Sequence, residues 1–588
     1  MRRALPGIIF LLSWAAAVPT DTLGPLARRF LETGSPAARE ALLHFADGDG
    51  AAATPSQAPL AYLVLGIGDL QAERFAPAAR DLAQASKEPF ELADYAVYYH
   101  ALALSGMGDY AGAARTLAGF HKQFPSSPLG TVALIQRAQS LSLSSQAREA
   151  LDLLSAAPHS TASSLLLLAQ VAERAGELVR AAETYQRIYY EFPAAPEAKT
   201  ALTALSALRL KLHSRYPEPS PELRLGRADK LAAAAKHLAA RAEYRTLSLR
   251  LKGLPREQAA VRVGVCDYHL NATLRAYRWL KALRVTAAEA DAERLYYIGA
   301  CARRLKRAEE FAQTVARLGR EHSASRWHAE ALFWLANQYW VDNAPEQYLP
   351  LYRRILELFP KGRYASTAQW RIAWRAYEDH QPDAQKLLED HIRLYPESQQ
   401  ITAAVYWLGR LAESKSDLAS ALACYQYLTA VYPNYYYGLQ ALERLQKLPR
   451  AAGPATAPPP HVAELLAAIP RPPAPPQEPP AEWKADLGRV QLLDRLGLSD
   501  LAQRELRYRA DSPALAYPAA LELSEQAAAS GNYHQAIRYL KHYTPGYLAF
   551  PVDSLPRRYW ELLFPMPWRN EIESYSKLHE LDPSLVAA

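Results

Sequence analysis

The chain is poor in sulfur. Its 588 residues hold three methionines and three cysteines, Cys266, Cys301 and Cys424. The cysteines are far apart and odd in number, and no C-x-x-C spacing offers a metal site. One thiol therefore stays unpaired or pairs outside the chain. We expect them to be small buried hydrophobes in helices. A Cys266–Cys301 disulfide is left open by the sequence, for an exported protein. Clustered basic charge is also lacking. The net charge of +7 is modest for this length, and two of those charges are Arg2 and Arg3. No Lys/Arg cluster sits on one element, so nucleic acid is not an expected partner. After the first twenty residues no stretch is long and apolar enough to span a bilayer, so no transmembrane anchor is expected. No convincing run of alternating strands appears anywhere.

Catalytic signatures are missing as well. There is no G-x-x-x-x-G-K-[ST] phosphate loop and no H-E-x-x-H; His579-Glu580 stands without a second histidine. There is no G-x-S-x-G nucleophile elbow. "GIGDL" at Gly66 and "SGMGDY" at Gly106 are glycine-rich, but each sits where a helix pair turns and no strand precedes it. The fifteen histidines are scattered singly. We expect no cofactor, no metal and no catalytic residue.

What is present begins with a leader. Arg2 and Arg3, an apolar core from Ile8 to Trp14 and Ala15-Ala16-Ala17 have the layout of a cleaved secretory signal over residues 1–17. The expected location is the periplasm.

The organising signal is a set of recurring offsets. From Gly409, preceded by Leu408, Ala421 lies twelve residues on, Tyr425 sixteen and Pro433 twenty-four. Ala169 gives Ala181, Tyr185 and Pro193 at the same offsets. Ala101 gives Ala113, Leu117 and Pro125; Gly66 gives Ala78 and Leu82. Small residues let two helices approach, a large apolar residue one turn later fills the gap, and proline stops the second helix. These are tetratricopeptide-type positions with a period near 34 residues. Phe124, Phe192, Phe359, Tyr395 and Tyr432 each precede a proline. Between about 215 and 345 the register blurs while helical periodicity persists. We therefore expect an all-α fold: a tetratricopeptide-like α-superhelix over 22–448, curved as a solenoid into a ring or horseshoe. The 32 residues from Pro449 to Pro480 contain twelve prolines. They read as an extended surface linker over 449–482, with "HVAELLAAI" as one short helix. A smaller helical linker domain over 483–558 follows, then a lead-in over 559–588 in which Asp582 caps and Pro583 opens a helix. The 35 tyrosines and 11 tryptophans are expected mostly at packing positions; the alternative for some of them is the concave face, where they would stack on sugars or peptides.

Four segments carry a family resemblance. "FPKGRYASTAQWRIAWRAYE", "YWLGRLAE…DLASALACYQYL…YPNYYYGLQALERL", "LLDRLGLSDLAQREL" and "YWELLFPMPWRNEIESYSKLHELDPSLVAA" resemble soluble lytic murein transglycosylases over most of residues 60–588. The likeness is strongest at Tyr436-Tyr437-Gly438, at Leu496-Gly497-Leu498 and across Tyr559–Val586. It implies an exported superhelix and a helical linker domain ahead of a lysozyme-like domain that cleaves peptidoglycan glycan strands to 1,6-anhydro products. In that family an Ile-Arg-Gln-Glu-Ser-like motif supplies the catalytic glutamate and a Gly-Leu-Met-Gln-like motif follows. This chain stops at Ala588, before both. Glu-Ser occurs at Glu397, Glu413 and Glu573, and none is followed by Gly-Leu-Met-Gln. The expectation is a helical scaffold without glycan-cleaving activity of its own, holding peptidoglycan glycan strands or an envelope protein. The alternative is a transglycosylase by descent whose catalytic part is truncated or separately encoded. More distant is a general tetratricopeptide adaptor for envelope assembly.

Overall fold

The computed structural model describes residues 22–48, 57–157, 160–448, 457–476 and 478–587, and within them every regular element is a helix. The leader expected over 1–17 lies outside the described residues. None of the described helices is long and apolar enough to cross a membrane. The fold is a tetratricopeptide-like helical solenoid.

One turn builds it repeatedly. The first helix of a pair ends on a residue in left-handed conformation, at Glu73, Gly108, Ser145, Gly176, Ala235, Asn271, Lys306, Asn343, His380, Ser416, Gly497 and Gly531. The amide after that residue donates back five positions: Arg74 to the Asp69 carbonyl, Ala272 to Asp267, Asp417 to Ala412 and Asn532 to Ala527, all at 2.8–2.9 Å. This is a Schellman closure, which satisfies a helix-end carbonyl and reverses the chain. From Ala235 to Ser416 the turns recur about every 36 residues, near the tetratricopeptide period. Second helices end differently. Phe124, Phe192, Phe359, Tyr395 and Tyr432 all leave the helix at φ between −135° and −124°. A following proline disfavours helical backbone at the residue before it.

The offset residues meet as their chemistry requires. Leu408, Ala421 and Tyr425 are buried. A Cβ on Gly409 would lie 2.8 Å from the Tyr425 ring, so the Ile401–Ser414 and Leu418–Val431 helices cross at a notch that the tyrosine fills. The Tyr425 hydroxyl donates to Glu413 at 2.8 Å. Tyr244 and Tyr352 likewise donate from second helices to Asp229 and Asn337 on first helices, at 2.5 and 2.7 Å. Tyr425→Ala is expected to destabilise by about 3–5 kcal/mol through the cavity left behind. Tyr425→Phe, which strands the Glu413 contact, is expected to cost about 1–2 kcal/mol. Urea denaturation checks both; equal midpoints for the two variants would refute the notch.

Cys266, Cys301 and Cys424 are buried and free. The Cys266–Cys301 bridge left open by the sequence is absent, and burial pushes each thiol up to about 12.

Two compact units interleave along the chain. The first gathers Met1–Pro158, Gln170–Gly176 and Pro479–Leu523. In it the Trp483–Arg495 and Ser499–Ala510 helices join the Ala93–Gly106 helix through a buried charge cluster. Arg489 Nη2 donates to Glu505 at 2.6 Å and to both Asp94 oxygens at 3.1 Å. Asp94 and Glu505 are 3% and 1% exposed. Ser127 Oγ donates to Asp94 at 2.5 Å.

The second unit gathers His159–Ala169, Glu177–Glu478 and Ser524–Ala588. The proline-rich stretch is pinned within it. Its short helix, Pro460–Ala467, buries Val462, Leu465 and Leu466, and Ile469 follows, in one core with Leu388, Cys424 and Leu428. Asn434, just after Pro433, donates its amide to the Leu548 carbonyl at 3.2 Å and its side chain to Phe550 at 2.6 Å. Near the end of the unit Asp582 Oδ1 accepts from the Ser584 amide at 2.7 Å, and Pro583 begins the Pro583–Ala587 helix.

Candidate functional site: an aromatic–arginine strip

In the second unit, first helices carry aromatic residues that lie partly on the core and partly at the surface. Arg326–Val341, Ala365–Glu378, Ile401–Ser414 and Tyr436–Lys447 present Trp334, Trp340, Trp370, Trp374, Trp407 and Tyr437. Residues four apart share a helix face, so Trp370 and Trp374 stack, with ring centroids 5.7 Å apart. Trp374 meets Trp407 edge-on at 4.9 Å. Trp407 Nε1 donates to the Tyr437 hydroxyl at 3.4 Å. Each helix thus hands the strip to the next.

Arginines cover its upper end. The Arg371 guanidinium lies 3.4 Å over the Trp340 ring, and Arg303 lies 4.7 Å over Trp334. Burial pushes Arg371 below its ordinary value. Trp340 and Trp334 remain 39% and 38% exposed. Trp340, Trp370, Arg371, Trp374, Gln400 and Tyr437 enclose a groove of about 320 Å3. Flat apolar rings beside a planar cation and an amide suit a ligand with apolar faces and polar edges.

The residues singled out by sequence divide around this groove. Leu408, Gly409, Ala421 and Tyr425 form the packing notch behind it. Tyr437 reaches the strip, whereas Tyr436 is 68% exposed. Gly438 is where it is because a Cβ there would strike the Tyr432 carbonyl oxygen, so the Pro433 turn and the next helix close only with glycine. Asp582 and Pro583 form a helix start in another part of the unit. Sequence reasoning did not single out Trp340, Trp370, Arg371 or Trp374. The i, i+4 spacing of Trp370 and Trp374 was readable, but it does not separate a ring at the surface from a packed one.

The three Glu-Ser glutamates do not gather. Burial alone would raise Glu413, but hydrogen bonds from Arg444 and Tyr425 hold its carboxyl below the usual range. It is kept ionised, the wrong form for a proton donor. Glu397 is exposed. Glu573 is exposed beside Arg569 at 3.3 Å.

A family model described as tetratricopeptide repeat matches residues 95–127 and 163–195. These are the stretches whose offsets run from Ala101 to Pro125 and from Ala169 to Pro193. No curated protein matches the chain. Among solved structures it is similar to an inactive mutant of lytic transglycosylase Slt from Pseudomonas aeruginosa, at 16% identity over 96% of this chain and 76% of that one, with a TM-score of 0.49. It is also similar to yeast Tom70, at 14% identity over 90% of this chain and 97% of that one, with a TM-score of 0.22.

Proposed function

We propose that this chain is an exported helical-repeat scaffold that holds peptidoglycan glycan strands along the Trp340–Tyr437 strip. The observation that carries the reading is the line of partly buried rings on successive first helices, ending in the exposed Trp340 with Arg371 over it. A pyranose ring has an apolar C–H face and a polar rim. The face buries against an indole, and the rim takes donors from a guanidinium. The segments that resemble soluble lytic murein transglycosylases support the choice of glycan, and the Arg2-Arg3 leader supports the periplasm. In this role the chain binds without cutting. Holding substrate and transition state equally gives no acceleration.

The test is one preparation with two readouts. Expressed with residues 1–17 in place, the chain is expected in the periplasmic fraction and in the pellet with purified, protein-free sacculi. Recovery in the cytoplasm, or in the supernatant, counts against the reading. Pelleting only with sacculi that retain envelope proteins would assign the strip to a protein partner.

A further inference from the structure

Elsewhere in the second unit a cavity of about 460 Å3 is lined by Asp229, His237, Arg262, His269, Glu293 and Tyr297. They come from the Pro221–Ala233, Gly253–His269 and Ala288–Arg304 helices and from the start of His237–Arg250.

Its charges do not balance. Arg262 Nη1 donates to Asp229 Oδ1 at 2.6 Å, and Tyr244 donates to that same oxygen at 2.5 Å. Glu293 is 6% exposed, yet Arg262 reaches it only at 3.5 Å. Arg326, the other cation that acts on Glu293, pairs with Glu289 at 3.6 Å. Two carboxylates thus share one guanidinium. Burial raises the Glu293 carboxyl above its usual range despite Arg262 and Arg326, as fits an ion short of partners.

The facing wall is aromatic. The imidazoles of His237 and His269 stack, with centroids 4.8 Å apart and planes 12° apart. Tyr297 meets His269 edge-on at 6.0 Å. Burial, His237 and Arg304 hold His269 below its ordinary value, which favours its neutral form. His237 Nδ1 is buried without a hydrogen-bond partner.

We propose that this cavity binds a primary ammonium group carried by an amino acid or a peptide, ion-paired to Glu293 and Asp229 and seated against the His269–Tyr297 wall. An anion would meet two carboxylates. A divalent ion needs several ligands converging on one point. Among the described residues the converging set is Asp291, Glu321 and His322, not this one. An ammonium needs only acceptors and a π face. The volume lies in the range that holds a residue-sized ligand.

Isothermal titration of the full chain with Nα-acetyl-L-lysine amide tests the site, with Nα,Nε-diacetyl-L-lysine amide as the uncharged control. Neither probe contains a sugar, so the result is independent of the glycan reading. We expect saturable binding of the first probe only, weakened about tenfold or more by Glu293→Gln. Circular dichroism checks the fold of that variant. Should it fail to fold, Tyr297→Ala reads the same wall and is expected to weaken the same probe. Absence of saturable heat with wild type, equal binding of both probes, or wild-type affinity in a folded variant would overturn the proposal.

Discussion

Arg489→Ala is expected to destabilise the first unit by about 3–5 kcal/mol, the usual cost of removing one partner from a buried ion cluster. The variant leaves Asp94 and Glu505, each almost wholly buried, facing one another without the guanidinium that now separates them. Ser127 and Tyr95 still donate to these carboxylates, Tyr95 to Glu505 at 3.3 Å, but neither carries charge. Arg509 reaches Glu505 at only 3.7 Å while pairing with Asp486 at 2.9 Å, so it cannot replace Arg489 without giving up that pair. Arg489→Lys keeps the charge but loses the fork that serves both carboxylates at once, and an intermediate loss is expected. Thermal unfolding of the three proteins gives the order wild type, Lys, Ala. A melting midpoint for the alanine variant equal to wild type would show that the cluster does not hold the two segments together.

That cluster also marks a limit of sequence reading. Nothing local in "GRVQLLDRLG" shows that Arg489 finds Asp94, because the pairing spans 395 residues of chain. The helix pairs were legible because their signals are local. A small residue, a second small residue and a large apolar one fall within two helices, and an aromatic–proline step closes the unit. Where the register blurred, much of this signal was still present. Gly264 is followed at twelve and sixteen by Ala276 and Leu280, both fully buried, and a Cβ on Gly264 would lie 2.7 Å from Leu280. What is missing is the proline, since Ala288 stands at twenty-four. The turns there use Ala235, Asn271 and Lys306 in left-handed conformation, a backbone that Asn accepts readily but that alanine and lysine do not advertise. The proline-rich stretch reads as linker from composition. Its short helix was visible, but not that Val462 and Leu466 enter the solenoid core.

The strip stood between these cases. Tyrosine and tryptophan enrichment was plain, yet Tyr352 is wholly buried while Trp340 is 39% exposed. Direction depends on which face the next helix covers, and that is a tertiary fact.

Trp370→Ala/Trp374→Ala is expected to cost glycan affinity more than any other change on this surface. It removes two stacked rings from the middle of the groove and leaves Trp340 and Trp407 without a platform between them. Removing such central aromatic anchors costs about 2 kcal/mol or more, roughly thirtyfold in affinity. Both rings are partly buried, Trp370 against the core that holds Leu388 and Ile392, so some stability is expected to go with them, and circular dichroism verifies that the variant is still folded. The direct measurement is a titration of tryptophan fluorescence with soluble glycan strands stripped of stem peptides. Wild type is expected to show a saturable change, and the double variant to need at least about thirtyfold more glycan. A folded double variant that binds as wild type does, or a wild-type protein whose emission ignores the glycan, would contradict the claim that this strip holds peptidoglycan.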